Sequence, residues 1–169
     1  PLAVRLHDQL GARIRWLVEP LSYPIVSRHP CVDRAVVFDR RRWRRTAAKT
    51  LARLRGRTFD VVLDLQRTLK SGGFSLLANT GRRIGFDRHR CKEMTWLLPF
   101  ERIPQSNAGA HMVHQYLEFA DYLGAPGRGI DWMIPGGRPP PAKLPPVYGV
   151  LNIGATKPAN RWQIGRAHV

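Results

Sequence analysis

At 169 residues the chain has room for one ordinary domain, or for one domain and the start of another. Hydrophobic residues at 43% and charged residues at 24% give a globular balance, and apolar runs such as residues 61–63 and 96–98 are far too short to cross a bilayer. The net charge of +16 suits nucleic acid, an anionic membrane surface or a small acidic substrate, and equally a solvated basic face, so charge does not select a function.

In chain order, Leu2, Ala3, Leu6 and Leu10 fall at helical spacing and stop at Gly11, a natural helix C-terminus. Residues 14–18 read as a short strand closed by Glu19-Pro20, and residues 23–27 as a short helix ending before His29-Pro30. Residues 35–38 form a compact apolar strand. A dense basic run, Arg40-Arg41-Arg42-Trp43-Arg44-Arg45, leads into a helix marked by Trp43, Ala47, Leu51 and Leu54 and closed by Gly56. Residues 59–65 carry the strongest strand signal, nearly all apolar, as in strands covered on both faces. A helix over 69–78, a short strand at 84–86 and an amphipathic helix through Met112, Val113, Tyr116, Leu117, Ala120 and Leu123 follow.

This alternation predicts an α/β domain: a Rossmann-like parallel sheet with helices on both faces. The domain is expected over residues 1–133. Six prolines between 134 and 146 make that stretch a semi-rigid linker, and residues 147–163 read as the opening strand and loop of a second α/β domain.

Ligands in open parallel sheets bind outside the carboxyl ends of the strands, and three loops qualify. The first is Asp64-Leu65-Gln66-Arg67-Thr68-Leu69-Lys70-Ser71, whose polar groups before a helix suit an anion or sugar hydroxyls. The alternative is that Asp64 and Gln66 only cap that helix while Lys70 is solvated. The second, residues 82–93, brackets Gly85 with arginines and includes Asp87, Arg88, Arg90, Lys92 and Glu93. Its guanidinium forks suit carboxylate or phosphate, and it also fits a basic surface loop. The third, Gly154-Ala155-Thr156-Lys157-Pro158-Ala159-Asn160-Arg161-Trp162, joins a strand to an expected helix and suits a diphosphate, although P-loop spacing is absent.

Other chemistries find little support. His111 and His114 lack a third ligand and fit one packed and one exposed histidine rather than a metal site. Cys31 and Cys91 form no CxxC pair and read as reduced thiols. No GxSxG, HExxH, GxGxxG or RNA-binding signature occurs. Trp96, Tyr122 and Trp132 are expected in packing roles.

Taken together, the three loops resemble the lipopolysaccharide heptosyltransferase family, inverting GT-B glycosyltransferases. The resemblance is carried by Phe59-Asp60-Val61-Val62-Leu63-Asp64-Leu65-Gln66 with Leu69-Lys70-Ser71, and by Arg83-Ile84-Gly85-Phe86-Asp87-Arg88. It extends to the helix from His111 to Gly124 and to the 154–162 loop. Residues 13–20 and 29–33 also look like the family's second strand and the loop after it, so the similarity spans nearly all of residues 1–163.

That resemblance implies transfer of heptose from ADP-heptose to the acidic lipid A–Kdo acceptor, without metal or other cofactor. The enzyme would be a cytoplasmic monomer, peripheral on the inner face of the inner membrane. Asp64, Gln66, Arg67, Lys70, Ser71, Arg88, Arg90 and Lys92 become acceptor-side candidates. Gly154, Ala155, Thr156, Lys157, Asn160 and Arg161 become candidates for the donor diphosphate. Many members carry lysine where this chain has Asn160, so Lys157 or Arg161 would supply the cation.

The family's catalytic aspartate follows the first strand in a Gly-Asp pair just before Leu-Pro. Pro1-Leu2 aligns with that proline and its successor, so the base and first strand are expected upstream of residue 1. Residues 164–169 depart from the family and read as a translated sequencing adapter. A fragment so bounded is expected to be inactive alone. A GT-B transferase for another nucleotide sugar, or a basic nucleic-acid-binding domain, are the rival expectations.

Overall fold

The computed structural model describes residues 1–136 together with Pro145 and Val147. Helix α1 (Leu2–Leu10) buries Leu2, Ala3, Val4 and Leu6 and stops where Gly11 adopts φ 60. The N–H groups of Gly11 and Ala12 return to the carbonyls of His7 and Leu6, a closure that needs the left-handed conformation glycine supplies. Strands β1 (Arg15–Val18) and β2 (Arg34–Val37) pair in parallel with Val18 opposite Val37. The short helix α2 (Tyr23–Val26) lies between them, and α3 (Trp43–Arg55) follows β2. Then come β3 (Val62–Asp64), α4 (Leu69–Leu77), β4 (Arg83–Gly85), β5 (Glu101–Arg102) and α5 (Met112–Tyr122).

Every strand pair is parallel, as the alternation requires, but the strands form two sheets, β1-β2 and β3-β4-β5. Side chains alternate across a strand, so β4 fixes the placement of the helices. Ile84 points into a core with Leu2 and Leu6 of α1 and Phe119 and Ala120 of α5. Its neighbour Arg83 points the other way and donates to the Ser75 and Ala78 carbonyls at the end of α4, each at 2.8 Å. Helices therefore cover both faces. In this core Phe86 meets Phe119 edge-on at 4.8 Å, and Arg5 of α1 holds Asp121 of α5 at 2.9 Å.

Between the sheets runs an apolar cleft of about 300 Å³, walled by β1 on one side and β3 on the other. The carbonyls of Ile14 and Val18 accept from Arg34 and Phe38, so the intervening N–H and C=O groups of Arg15 and Leu17 face the cleft. By the same alternation Val62 bonds towards β4 and Leu63 faces the cleft. Two unpaired parallel edges thus oppose each other.

The strand expected over 59–65 is regular only at Val62–Asp64, the residues that pair with Arg83–Gly85 of β4, and Phe59 joins the sheet through an isolated bridge to Thr80. Strand β5, two residues long, carries no periodicity that a sequence reading can detect.

Residues Pro1–Pro135 form one compact unit. The expected 134–146 linker, the 147–163 segment and residues 164–169 lie almost wholly outside the described residues. Among those described, no helix is long and apolar enough to cross a membrane.

Candidate functional site

The loops leaving the carboxyl ends of β3 and β4 are built into one another. Thr68 and Ser71 form a capping box that starts α4, so the Ser71 hydroxyl is taken up by the helix N-terminus. A second cap comes from the other loop: Glu93 Oε2 accepts the Leu69 N–H at 2.9 Å. The Arg67 carbonyl accepts from the Lys92 N–H at 3.2 Å and from Thr95 Oγ1 at 3.4 Å. Three contacts therefore lock the first loop against the second. The geometry is strained on both sides, with Arg67, Glu93 and Met94 at φ 63, 48 and 58.

The eight acceptor-side candidates separate into two groups. Asp64 is buried, and its Oδ1 accepts the Gln66 N–H at 3.1 Å, shaping the turn after β3. Arg67 lays its guanidinium over the Phe86 ring at 4.9 Å and reaches Met112 Sδ, leaving its buried Nε without a hydrogen-bond partner. Arg90 is more deeply committed, its side chain only 1% exposed. It pairs with Asp87, holds Glu118 Oε2 at 2.6 Å and donates to the Pro104 carbonyl at 3.1 Å. Burial works to lower the Arg90 pKa, but the hydrogen bonds to Asp87 and Glu118 outweigh it and leave it raised. With Ser71, these residues build the platform.

Gln66, Lys70, Arg88 and Lys92 form the second group, all exposed. Lys70 Nζ reaches Glu19 Oε1 at 2.7 Å, tying the β3 loop to the end of β1, and this hydrogen bond holds the Glu19 carboxyl below its usual pKa. Arg88 stacks over Trp96 at 4.3 Å. Trp96, expected in packing, is instead partly exposed and orients a cation. Trp132 is also exposed, while Tyr122 donates to Glu101 at 2.6 Å.

Two supporting groups escaped the sequence reading. Arg102 fastens the Phe86, Thr95 and Leu98 carbonyls at 3.2, 2.8 and 2.9 Å. Its head passes so close to Gly85 that a Cβ there would sit 2.9 Å from Nη1, which gives the glycine its reason. Glu93, which the sequence shows only as a member of the second basic loop, is the clamp described above. A glutamate next to a lysine gives no sequence signal for capping a helix that began two dozen residues earlier.

His111 and His114 are both exposed, and His111 Nδ1 caps α5 through the Val113 N–H at 3.3 Å, correcting the expected packed histidine. The ligand atoms of His7, Asp8 and Cys31 lie within 4.8 Å of one another. His7 Nδ1 is already engaged with Asp8 at 2.8 Å, and burial pushes the Cys31 thiol up, away from the thiolate a metal would need. Gly154, Ala155, Thr156, Lys157, Asn160 and Arg161 lie outside the described residues.

The family sequence model described as glycosyltransferase family 9 (heptosyltransferase) matches residues 47–164, which include both locked loops. The chain belongs to this heptosyltransferase family. Among relatives, it is 24% identical over 119 residues to the lipopolysaccharide core heptosyltransferase OpsX of Haemophilus influenzae, covering 70% of this chain and 34% of OpsX. Its fold is similar to E. coli heptosyltransferase WaaC solved with ADP, at TM-score 0.65 and 29% identity over 77% of this chain and 44% of that one. Against WaaC with ADP-2-deoxy-2-fluoro heptose the values are 0.61 and 25%, over 76% and 45%. The chain thus spans about a third of OpsX and under half of WaaC. The α/β fold is that of one half of a GT-B heptosyltransferase, and the locked loops lie at the carboxyl edge of its sheet.

Proposed function

We propose that this chain supplies the acceptor side of an inverting glycosyltransferase that moves heptose from ADP-heptose to the Kdo/heptose inner core of lipopolysaccharide. Family membership supports the reaction class, and the ADP and ADP-heptose analogue held by WaaC support the donor. The observation that carries the acceptor assignment is the division of labour in the locked loops. Arg67, Asp64 and Arg90 are spent on internal contacts, while Arg88, Lys92 and Gln66 face outward from one rigid platform, with Lys70 exposed beside its Glu19 partner. Outward cations on a fixed base suit the carboxylates of Kdo and the phosphates of lipid A.

In this reading Lys70 and Arg88 hold the acceptor by its anions, and Gln66 hydrogen-bonds sugar hydroxyls beside them. The acceptor hydroxyl gives its proton to a general base as it attacks the anomeric carbon opposite the ADP leaving group, and residues 154–161 would stabilise charge on the departing diphosphate. The site would work on the cytoplasmic side of the inner membrane, where a lipid-borne acceptor is presented.

The test is binding of Kdo-bearing lipid A in detergent micelles, compared with the same lipid lacking Kdo, alongside transfer assays on the protein that carries this chain. Preference for the Kdo form, reduced in Lys70→Ala and Arg88→Ala, is expected, together with transfer from ADP-heptose. Equal binding of both lipids, or transfer only from another nucleotide sugar, would overturn the proposal.

A further inference from the structure

Among the described residues, Lys70 and Arg90 are the acceptor-side candidates that enter salt bridges, and the two pairings differ in kind. Arg90 is 1% exposed and divides its guanidinium among Asp87, Glu118 and the Pro104 carbonyl, so it has no face left for a ligand. Lys70 makes one hydrogen bond, from Nζ to Glu19 Oε1 at 2.7 Å, and both side chains are open to solvent, at 38% and 47%.

The backbones that carry this pair are fixed, while the side chains are not. Glu19 follows the last residue of β1, and its carbonyl accepts the Ser22 N–H at 3.1 Å in the turn before α2. Lys70 is the second residue of α4, just behind the Thr68–Ser71 capping box. Both line the cleft between the sheets where its carboxyl mouth opens, beside Gln66. Among the described residues no other salt bridge joins the ends of β1 and β3. An ammonium on a four-carbon stem carries three rotatable donors, and Glu19 takes one of them.

An exposed pair of this kind is weak, and shifts an equilibrium by no more than about fivefold. What can replace Glu19 is nevertheless restricted. A charge-assisted hydrogen bond is roughly twice as strong as a neutral one, so a sugar hydroxyl offers Lys70 less than Glu19 already does. A carboxylate or phosphate offers the same chemistry and can take its place. Exchange does not strand Glu19, which is exposed to water, and Arg40 is close enough to help lower its pKa, after the larger effect of Lys70.

We propose that Glu19 is a positioning residue acting through Lys70: its carboxylate holds the place of an acceptor oxyanion and is exchanged for that oxyanion on binding. This deepens the acceptor assignment, since it rests on Lys70 meeting the acceptor. The Lys70–Glu19 bridge is then a latch between the ends of β1 and β3 that an anionic sugar opens and a neutral one does not.

The experiment titrates the full chain with Kdo and with its methyl ester, which keeps the hydroxyls and lacks the charge, following the Glu19 carboxyl carbon by NMR. Kdo should release Glu19, so that its carboxyl pKa rises from its lowered value towards the ordinary glutamate range, whereas the ester should leave it in place. Glu19→Gln should bind Kdo up to about fivefold more tightly and gain less for the ester, with circular dichroism unchanged. In a Lys70→Ala background the same change should gain nothing. A gain that survives there would be a long-range charge effect and would sink the exchange. A Glu19 signal that Kdo leaves unmoved, while Lys70→Ala abolishes Kdo binding, would overturn the exchange alone and keep Lys70 as an acceptor contact. Kdo binding indifferent to Lys70→Ala would overturn both readings.

Discussion

Glu93 accepts the backbone N–H of Leu69 across two loops, so the residue that closes the β4 loop also caps the helix that opens the β3 loop. One carboxylate thereby sets both the stability of α4 and the spacing of the outward cations. Glu93→Ala is expected to cost about 1 kcal/mol, the usual cost of a lost cap, visible as a lower Tm. Its signature is faster amide exchange over residues 64–71 together with weaker acceptor binding. Unchanged exchange in that loop would remove Glu93 from its clamping role.

Arg90 and its neighbours Arg88 and Lys92 should behave in opposite ways. Arg90→Ala leaves Asp87 buried without its partner, and a loss on the order of 3–5 kcal/mol is expected in denaturant unfolding. Arg88→Ala and Lys92→Ala sit on the exposed side and should change stability by less than about 1 kcal/mol while reducing acceptor affinity. Comparable destabilisation by all three would dissolve the distinction between platform and contact residues.

The acid limb of stability should report on Glu101. Arg82, gripping it at 2.7 and 2.9 Å, and then Tyr122, donating at 2.6 Å, hold this carboxyl down to about 2 from 4.5. A depressed pKa contributes stability that is complete above 4.5 and is lost as pH falls through about 2. Glu101→Gln and Tyr122→Phe should therefore flatten the dependence of Tm on pH in that window, Glu101→Gln the more. A wild-type slope retained in Glu101→Gln would assign the limb to other carboxylates.

The cleft between the sheets makes a prediction about local stability. Leu17 and Leu63 turn their amides towards it, while Ile84 is fully buried in β4 with neighbours on both sides. Hydrogen exchange should be fast at Leu17 and Leu63 and slow at Ile84, despite all three lying in parallel strands. Equal protection would mean that the two edges are satisfied in a way their register does not suggest.

Helix positions were readable because their cause is local. Leu2, Leu6 and Gly11 mark α1 by spacing and a left-handed stop, and Trp43, Ala47, Leu51 and Leu54 mark α3. The parallel α/β class followed from alternation alone, and the three loops with their Lys, Arg and Gly spacing were enough to indicate the heptosyltransferase family. Which arginine in those loops would be buried was not local information. Arg88 and Arg90 are the same residue type two positions apart, and only the placement of Glu118 on α5 and the Pro104 carbonyl turns Arg90 inward while Trp96 holds Arg88 outward. Likewise the run at 59–65 has strand propensity throughout, but a strand is regular only where a neighbour pairs with it, and that neighbour is a tertiary fact. Periodicity and turn chemistry thus determined most of the elements, and the resemblance of the loops indicated the family. The partners brought by packing decided which charges build the site and which are left to meet a ligand.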